Sequence, residues 1–271
     1  MKPTHAYLTA ALISGALAAP GSTLAQRMRH RSLDHLTLPL QGQGSSTDSE
    51  ARVAGASVQY SNNWSGVVRE QAPPEGPYTA VTATFTIPTS TAVANQNGVQ
   101  AGSVWVGIDG DTYPGAILQA GVDFYSDPKQ QNHAWFEWYP AYATNFPNID
   151  VNEGDTIVST VRSTSPSEGI AIIENKSTGQ KVSQTVTAPA PTATLVGQNA
   201  EWIVEDFQSG DSMVVMANFG EVKFSGAQAE AGKAVYGLDG GAIVELKQND
   251  KVLTQTEVTG NNDMTVRFIG A

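Results

Sequence analysis

The chain has 271 residues, and all-β domains of roughly 200–250 residues commonly fold as one unit, so one large domain is favoured over several small ones. The absence of cysteine excludes disulfides and a cysteine nucleophile. The formal net charge of −11 disfavours binding to nucleic acid or to an anionic membrane.

The first 25 residues have the pattern of a secretory signal peptide. Lys2 and His5 give a basic start, an apolar run extends from Ala6 to Ala19, and Thr23-Leu24-Ala25 offers a small-residue cleavage site. The apolar run is shorter than the roughly 20 residues of a transmembrane helix. We therefore predict that residues 1–25 are a signal peptide and that the protein is secreted, with a buried N-terminal helix as the alternative.

A polar, basic leader follows at residues 26–56. It has four arginines and three acidic residues, whereas the chain from Ser57 onward has ten lysines and arginines against 23 acidic residues. The leader is therefore predicted to be a propeptide that is attracted to an acidic domain, and an unstructured tail is the alternative. The arginines are Arg27, Arg29, Arg31 and Arg52.

From Ser57 onward, short strand patterns alternate with turn residues. Turn signals such as Ser177-Thr178-Gly179 separate the strands, and only Ala227 to Ala234 resembles a short helix. This organisation predicts an all-β sandwich or barrel over residues 57–271. The predicted strands are Tyr78 to Ile87, Ser103 to Ile108, Ala116 to Tyr125, Ala134 to Tyr139, Ser159 to Val161, Ile170 to Ile173, Val182 to Val186, Trp202 to Val204, Met213 to Met216, Ala242 to Leu246 and Met264 to Phe268.

Several hydrolase signatures are absent from the sequence. His133 is the only histidine beyond the leader, and no Gly-x-Ser-x-Gly element accompanies it. There is no His-Glu-x-x-His zinc motif, no Asp-Thr-Gly of an aspartic peptidase and no glycine-rich phosphate loop. Asp109-Gly110-Asp111 lacks the remaining ligand spacing of a calcium loop. We expect neither a metal nor a cofactor.

What remains is a set of carboxyl and amide side chains within the predicted strands. Alternate residues of a strand share a face, so Gln119 lies with Asp123, and Glu201 lies with Glu205. Crowded carboxyl groups beside aromatic walls have raised pKa values, which suits acid–base catalysis. The same alternation is normal for a solvated face of an antiparallel sheet. If these faces line one groove, it holds Asp109, Gln119, Asp123, Glu137, Glu201 and Glu205.

Five blocks of sequence together resemble the glutamic peptidases, or eqolisins. They follow one another in family order from about Asn62 to the C-terminus, and any one alone would be a weak signal. The blocks are Asn63-Trp64-Ser65-Gly66, Trp105-Val106-Gly107-Ile108-Asp109-Gly110-Asp111-Thr112, Ala116-Ile117-Leu118-Gln119-Ala120-Gly121-Val122-Asp123, Ala134-Trp135-Phe136-Glu137-Trp138-Tyr139-Pro140 and Asn199-Ala200-Glu201-Trp202-Ile203-Val204-Glu205-Asp206-Phe207.

The resemblance implies a sandwich of two curved antiparallel sheets, of the lectin-like jelly-roll kind, with substrate lying across the concave face. It implies a monomeric acid endopeptidase that hydrolyses polypeptides through an activated water, without a covalent intermediate. Gln119 and Glu205 fall on the positions of the catalytic pair. The positions that line or support the site are Trp105, Asp109, Asp123, Glu137 and Tyr139.

One departure concerns a disulfide that the family resemblance implies between the Asp-Gly-Asp-Thr loop and the segment before the catalytic glutamate. Tyr113 and approximately Val196 occupy those two positions here. Both cysteines are absent together, which puts the rigidity of this loop in doubt and leaves the catalytic pair intact.

Two other functions remain open. A carbohydrate-active protein, either a two-carboxylate glycosidase or a lectin-like module, can also carry aromatic and acidic residues on a concave face. Gln119 has no necessary role in a two-carboxylate glycosidase, which weighs against that function. A catalytically dead homologue used for binding is the third interpretation, and the presence of both Gln119 and Glu205 weighs against it.

Overall fold

The computed structural model describes residues 35–43 and 58–270. Within these ranges the chain forms β-strands and no α-helix, so no helix there could cross a membrane. All described residues belong to one compact unit. The predicted signal peptide, and residues 26–34 and 44–56 of the predicted leader, lie outside the described residues.

Short strands follow one another with close turns. In chain order they are β1 (His35–Leu36), β2 (Val58–Ser61), β3 (Trp64–Arg69), β4 (Tyr78–Thr86), β5 (Gln100–Ile108), β6 (Ile117–Tyr125), β7 (His133–Tyr139), β8 (Thr144–Asn145), β9 (Thr156–Ser165), β10 (Glu168–Asn175), β11 (Gln180–Thr187), β12 (Ala200–Glu205), β13 (Gln208–Ser209), β14 (Ser212–Met213), β15 (Val215–Met216), β16 (Glu221–Ala231), β17 (Ala234–Tyr236), β18 (Ala242–Gln248), β19 (Lys251–Val252), β20 (Thr254–Gly260) and β21 (Asp263–Phe268).

Two large, mainly antiparallel sheets pack against each other. The first sheet has the order β11-β10-β9-β4-β16-β21-β20, and β17 pairs with β16. The second has the order β19-β18-β3-β12-β5-β6-β7-β8, with β2 and β15 joined in parallel to β18 and β5. A small third sheet joins β1, β13 and β14. The fold is therefore all-β, as the sequence predicted.

Alternation along the central strands of the second sheet sends neighbouring side chains to opposite faces. Val104 and Trp202 enter the apolar core shared with the first sheet, where they join residues such as Val81. Trp105 and Ile203, one position further along their strands, belong to a separate apolar cluster on the other face. Burial of apolar surface at about 25 cal/mol per Å² stabilises the inner face. The outer face carries the polar residues described below.

One predicted element is wrong. The residues from Ala227 to Ala234 do not form a helix, because their first part continues β16 and pairs with β4 and β17. Ala227, Ala229 and Ala231 are fully buried while Gln228 is exposed, which is the two-residue period of a strand. Alanine and glutamate favour helices locally, and here packing against the neighbouring strands overrides that preference.

Candidate active site

A row of polar side chains runs across the outer face of the second sheet. Gly107 of β5 pairs with Glu201 of β12 on one side and with Gln119 of β6 on the other. Gln119 in turn pairs with Glu137 of β7. These residues therefore lie level with one another across neighbouring strands.

A second row lies four residues further along the same strands. Ser103 pairs with Glu205 on one side and with Asp123 on the other, and Asp123 faces His133. The rows share one face, which we call the groove. The groove brings together five of the six predicted polar residues, namely Gln119, Asp123, Glu137, Glu201 and Glu205.

Gly107 keeps the middle of the first row free of a side chain. A Cβ atom at this position would lie 2.8 Å from the Trp105 ring and 3.2 Å from the nearer Glu201 carboxyl oxygen. The space above this residue is therefore available to the long side chains of the strands on either side.

Glu205 is fully buried beside aromatic side chains. Its Oε2 atom accepts a hydrogen bond of 2.9 Å from the Trp105 indole N–H, and its Oε1 atom has no partner among the described residues. Burial raises the pKa of this carboxyl group well above its ordinary value, and the approach of the Thr37 and Trp105 side chains partly opposes that rise. A carboxyl group in this state holds its proton in acid and releases it when its burial is relieved.

Gln119 presents an amide with open hydrogen-bonding positions. The residue is fully buried, and neither its oxygen nor its nitrogen has a hydrogen-bond partner among the described residues. Its amide faces the carboxyl group of Glu137. Burial and the nearby Glu205 raise the pKa of that group, and the Thr37 N–H and the approach of the Gln119 amide partly oppose the rise. A buried amide with unused donors is unusual and marks a place where a ligand can be bound.

The segment of residues 35–43, called here the leader segment, lies against the groove. His35 Nδ1 is 3.0 Å from Asp123 Oδ2, and the imidazole is buried. Its ring packs against Trp135 at 4.8 Å and stacks on Phe207 at 4.2 Å between ring centroids. One end of the segment is therefore held by a polar contact between two aromatic walls.

The rest of the leader segment crosses the two polar rows. The side chain of Thr37 approaches Glu205, and Leu40 packs on the apolar cluster that contains Trp105. Backbone hydrogen bonds hold it at several places. Ala143 N–H donates to His35 O at 2.9 Å, Thr37 N–H donates to Glu137 Oε2 at 3.2 Å, and Leu40 N–H donates to Gly110 O at 3.0 Å. The side chain of Asn63 also binds the backbone of residues 38, 39 and 41.

Asp109 has a different environment from the groove residues. It follows β5 with a φ of 64°, and its two carboxyl oxygens accept the backbone N–H groups of residues 196–199 at 2.6 to 3.2 Å. Asp109 therefore fixes the loop that leads into β12, beside Glu201.

Hydrogen bonds join the loops where the family resemblance implied a disulfide. The hydroxyl of Tyr113 donates to Thr194 O at 3.1 Å, and Asn199 Oδ1 accepts from the backbone N–H groups of Asp111 and Tyr113 at 3.2 Å each. Together with the Asp109 contacts, these bonds tie the two segments without a covalent link.

Glu201 and Tyr139 complete the set of predicted residues. Glu201 is fully buried, and neither carboxyl oxygen has a partner among the described residues. Burial raises its pKa well above the ordinary value, and Asp109 and Asp111 raise it further. Tyr139 is half-buried and packs on the same apolar cluster as Trp105.

Sequence reasoning gave no site role to several residues that lie at the groove, among them Trp64, which pairs with Glu205, and Phe207, which stacks on His35. Trp64 and Phe207 lie within matching blocks, but the block itself does not say which of its side chains faces the site. His35 and Thr37 lie in the predicted leader, and the only signal there was the basic composition of the surrounding residues.

The buried carboxyl groups predict a protein that is most stable in acid. Burial raises the pKa of Asp206 from an ordinary value of 3.8 to about 7. A group with a raised folded-state pKa stabilises the fold below its unfolded pKa, and that stability is lost as the pH rises through the folded value. As the pH rises from 4 to 7, the wild type should therefore lose a few kcal/mol in its free energy of unfolding that the Asp206→Asn variant keeps.

Thermal melting of both proteins across this pH range measures that difference. The exposed Asp211 provides the matched control, Asp211→Asn, in which the same replacement is made at the surface. A difference in melting temperature between Asp206→Asn and the wild type that does not change with pH would contradict the raised pKa of Asp206.

Comparison with known proteins identifies the family. The model of the Peptidase A4 family matches residues 62–268. Aspergillopepsin-2 from Aspergillus niger is 42% identical over 228 residues, covering 78% of this chain and 79% of the relative. Scytalidopepsin B from Scytalidium lignicola is 33% identical over 270 residues, covering 96% and 97%.

Solved structures agree with this assignment. A crystal structure of scytalido-glutamic peptidase with a transition state analog inhibitor matches with a TM-score of 0.69 and 33% identity, covering 77% of this chain and 98% of that one. Aspergilloglutamic peptidase from Aspergillus niger matches with a TM-score of 0.59 and 46% identity, covering 63% and 99%. The chain belongs to the Peptidase A4 family, the eqolisins, and is a peptidase of the glutamic type.

Proposed function

We propose that the protein is a secreted acid endopeptidase in which Glu205 and Gln119 activate a water molecule. The observation that carries the proposal is the contrast between these two side chains in one groove. Glu205 is a buried carboxyl group whose pKa is raised by burial, and Gln119 is a buried amide with unused hydrogen-bonding atoms. The carboxyl group can exchange a proton, and the amide can donate a hydrogen bond at any pH.

Peptide hydrolysis assigns a task to each of these groups. Departure of the leader segment admits water to Glu205 and lowers the pKa that burial had raised, so that the carboxyl group can ionise in acid. Ionised Glu205 then takes a proton from the water as the water oxygen attacks the peptide carbonyl carbon. The Gln119 N–H donates to the oxyanion that forms on the carbonyl oxygen. Glu205 then returns the proton to the leaving nitrogen as the carbon–nitrogen bond breaks. No covalent enzyme intermediate is formed, and the Trp105 N–H holds the carboxyl group in place throughout.

The choice of Glu205 over Glu201 depends on its neighbours. Glu205 interacts with Trp105, with the leader segment through Thr37, and with Glu137 beside Gln119. Glu201 lies level with Gln119 in the strand register, but its charged neighbours are the acids of the adjacent loop. We assign the catalytic role to Glu205 because it is the glutamate that meets a peptide chain in the groove.

The direct test is cleavage of denatured casein from pH 2 to pH 8. We expect hydrolysis in acid and little near neutrality, with no effect of a metal chelator or of an inhibitor directed at paired aspartates. A neutral optimum, or inactivation by the chelator, would overturn the proposal. A glycan panel assayed alongside tests the carbohydrate-active alternative.

We also propose that the leader blocks the groove until acid releases it. The leader segment covers Glu205 and contacts Asp123 and Glu137, and its only titratable side chain is His35. The four arginines of the leader lie outside the described residues, so their predicted attraction to the acidic domain remains a prediction.

Acidification of the purified full chain tests this release. We expect the wild type to lose mass from its N-terminus within the assay, while a Glu205→Ala chain stays intact because it cannot cleave itself. Equal trimming of the two chains would show that another peptidase does the processing, and proteolytic activity before any loss of mass would contradict the block.

A further inference from the structure

The leader segment shows how an extended peptide is bound across the groove. Its backbone is bound at several points. Ala143 N–H donates to His35 O, Thr37 N–H donates to the Glu137 carboxyl group, and Leu40 N–H donates to the Gly110 carbonyl. The Asn63 side chain donates to the carbonyls of Leu38 and Pro39 and accepts the Gln41 N–H. These contacts involve main-chain atoms of the peptide, so they do not depend on the peptide's side chains. The same contacts are available to any extended chain that follows this path.

We infer that substrate is bound in the register of the leader segment and that Glu137 is the residue that accepts the backbone N–H of the substrate residue facing Glu205. This inference rests on the proposed function and goes further by assigning Glu137 a positioning role. Glu137 would act by aligning the chain over the pair, and it would not itself exchange the proton.

Three features of Glu137 support this role. The side chain is only 1% exposed, so its position is fixed by the surrounding protein. Its Oε2 atom accepts the Thr37 N–H at 3.2 Å, and its Oε1 atom has no partner among the described residues. It also pairs across the sheet with Gln119, so a peptide bound to it lies beside the amide proposed to stabilise the oxyanion.

The leader segment also predicts which substrate N–H groups are needed. The N–H groups of Thr37, Leu40 and Gln41 donate to Glu137, Gly110 and Asn63, and that of Gln43 donates to Tyr60. Pro39 has no N–H, and the N–H of Leu38 has no acceptor among the described residues. A substrate should therefore need the N–H groups at the Thr37, Leu40 and Gln41 positions and tolerate their loss at the Leu38 and Pro39 positions.

A nonapeptide with the sequence of residues 35–43 and two analogues test the register. In each analogue an ester oxygen replaces one backbone N–H, at the Thr37 or the Leu38 position. The readout is the inhibition constant against casein cleavage by the full chain in acid. Loss of the Thr37 N–H should weaken inhibition about tenfold, as expected for one hydrogen bond to a carboxyl group, while the Leu38 ester should match the parent.

The role of Glu137 is tested by combining the Thr37 ester in the peptide with a substitution of Glu137 in the chain. In the Glu137→Ala chain the Thr37 ester and the parent peptide should inhibit equally, whereas Glu137→Gln, which keeps a carbonyl acceptor, should restore part of the difference. A purely structural role for Glu137 would weaken all three peptides alike and leave the tenfold ratio unchanged.

The outcomes separate this inference from the function on which it rests. A chain that cleaves casein but is inhibited equally by the parent and both esters would overturn the register alone. A chain that cleaves no protein in acid would overturn the proposed function, and the register with it. A tenfold ratio that disappears in Glu137→Ala supports both.

Discussion

The Glu205→Gln variant should lose about a thousandfold or more in kcat and remain folded. Glutamine matches glutamate in size and can still accept the Trp105 N–H through its carbonyl oxygen, so the groove should keep its shape. It cannot take a proton from water, and general acid–base catalysis supplies roughly 10²–10⁴-fold in rate. The measurement is kcat for casein or a peptide in acid, with thermal melting of both proteins as the folding control.

Glu201→Gln is the matched comparison, since both glutamates lie on the same face of β12. They are four residues apart, which separates their Cα atoms by roughly 13 Å along the strand at about 3.3 Å per residue. Both cannot contact one water, and Glu201→Gln should keep substantial activity. A dead Glu201→Gln beside a nearly normal Glu205→Gln would mean that the wrong acid was assigned.

Removing Glu201 should instead affect stability. Its buried carboxyl group must be neutral to avoid an unpaired charge beside Asp109 and Asp111. Glutamine is neutral at every pH, so Glu201→Gln should melt higher than the wild type as the pH approaches neutrality. Replacement of Glu205 should therefore change activity, whereas replacement of Glu201 should change the pH dependence of stability.

The strands that carry the site could be predicted from sequence because their patterns are strong. Gln119 and Asp123 each lie two residues from Gly121 on β6, so the three residues share one face. Ala120 and Val122, between them, face the core. Alternation of this kind fixes which side chains share a face. It also predicted that Glu201 and Glu205 share one, and the structure places them so.

Strand order and the contacts of loops could not be predicted in the same way. That β12 lies between β3 and β5 depends on pairings between residues far apart in the chain, which local alternation does not encode. Asp109 shows the limit most clearly. It ends a strand-like pattern in the sequence, yet a φ of 64° turns its side chain toward the backbone of residues 196–199.

The leader segment was also beyond sequence reasoning. Its composition drew attention to charge, whereas its described contacts with the groove come from an uncharged backbone, from the Thr37 and Leu40 side chains and from one imidazole. Nothing in the order of these residues indicates that they add a strand beside β13. The contacts exist because the folded domain offers a groove, so they follow from the tertiary structure.

Gln119→Ala should lower kcat about 10²–10³-fold with a smaller effect on KM. The lost N–H donor acts on charge that develops only in the transition state, and removal of one such donor costs rates of this size. The exposed Gln184 is the matched control, because Gln184→Ala should leave both constants unchanged. An equal rise in KM with kcat preserved would show that Gln119 binds substrate without stabilising the oxyanion.

The Gln119→Glu variant tests whether the residue at this position must donate a hydrogen bond or only has to fill the space. Glutamate has nearly the same shape, and when protonated it still carries one O–H donor, so some activity should remain at the lowest pH. As the pH rises the new carboxyl group ionises, loses its donor and places a charge beside Glu137. The activity of this variant should therefore fall at a lower pH than that of the wild type, and the two pH profiles of kcat measure the shift. Profiles that coincide would mean that the Gln119 amide does not donate to the oxyanion, because a titrating group at that position would then leave the reaction unaffected.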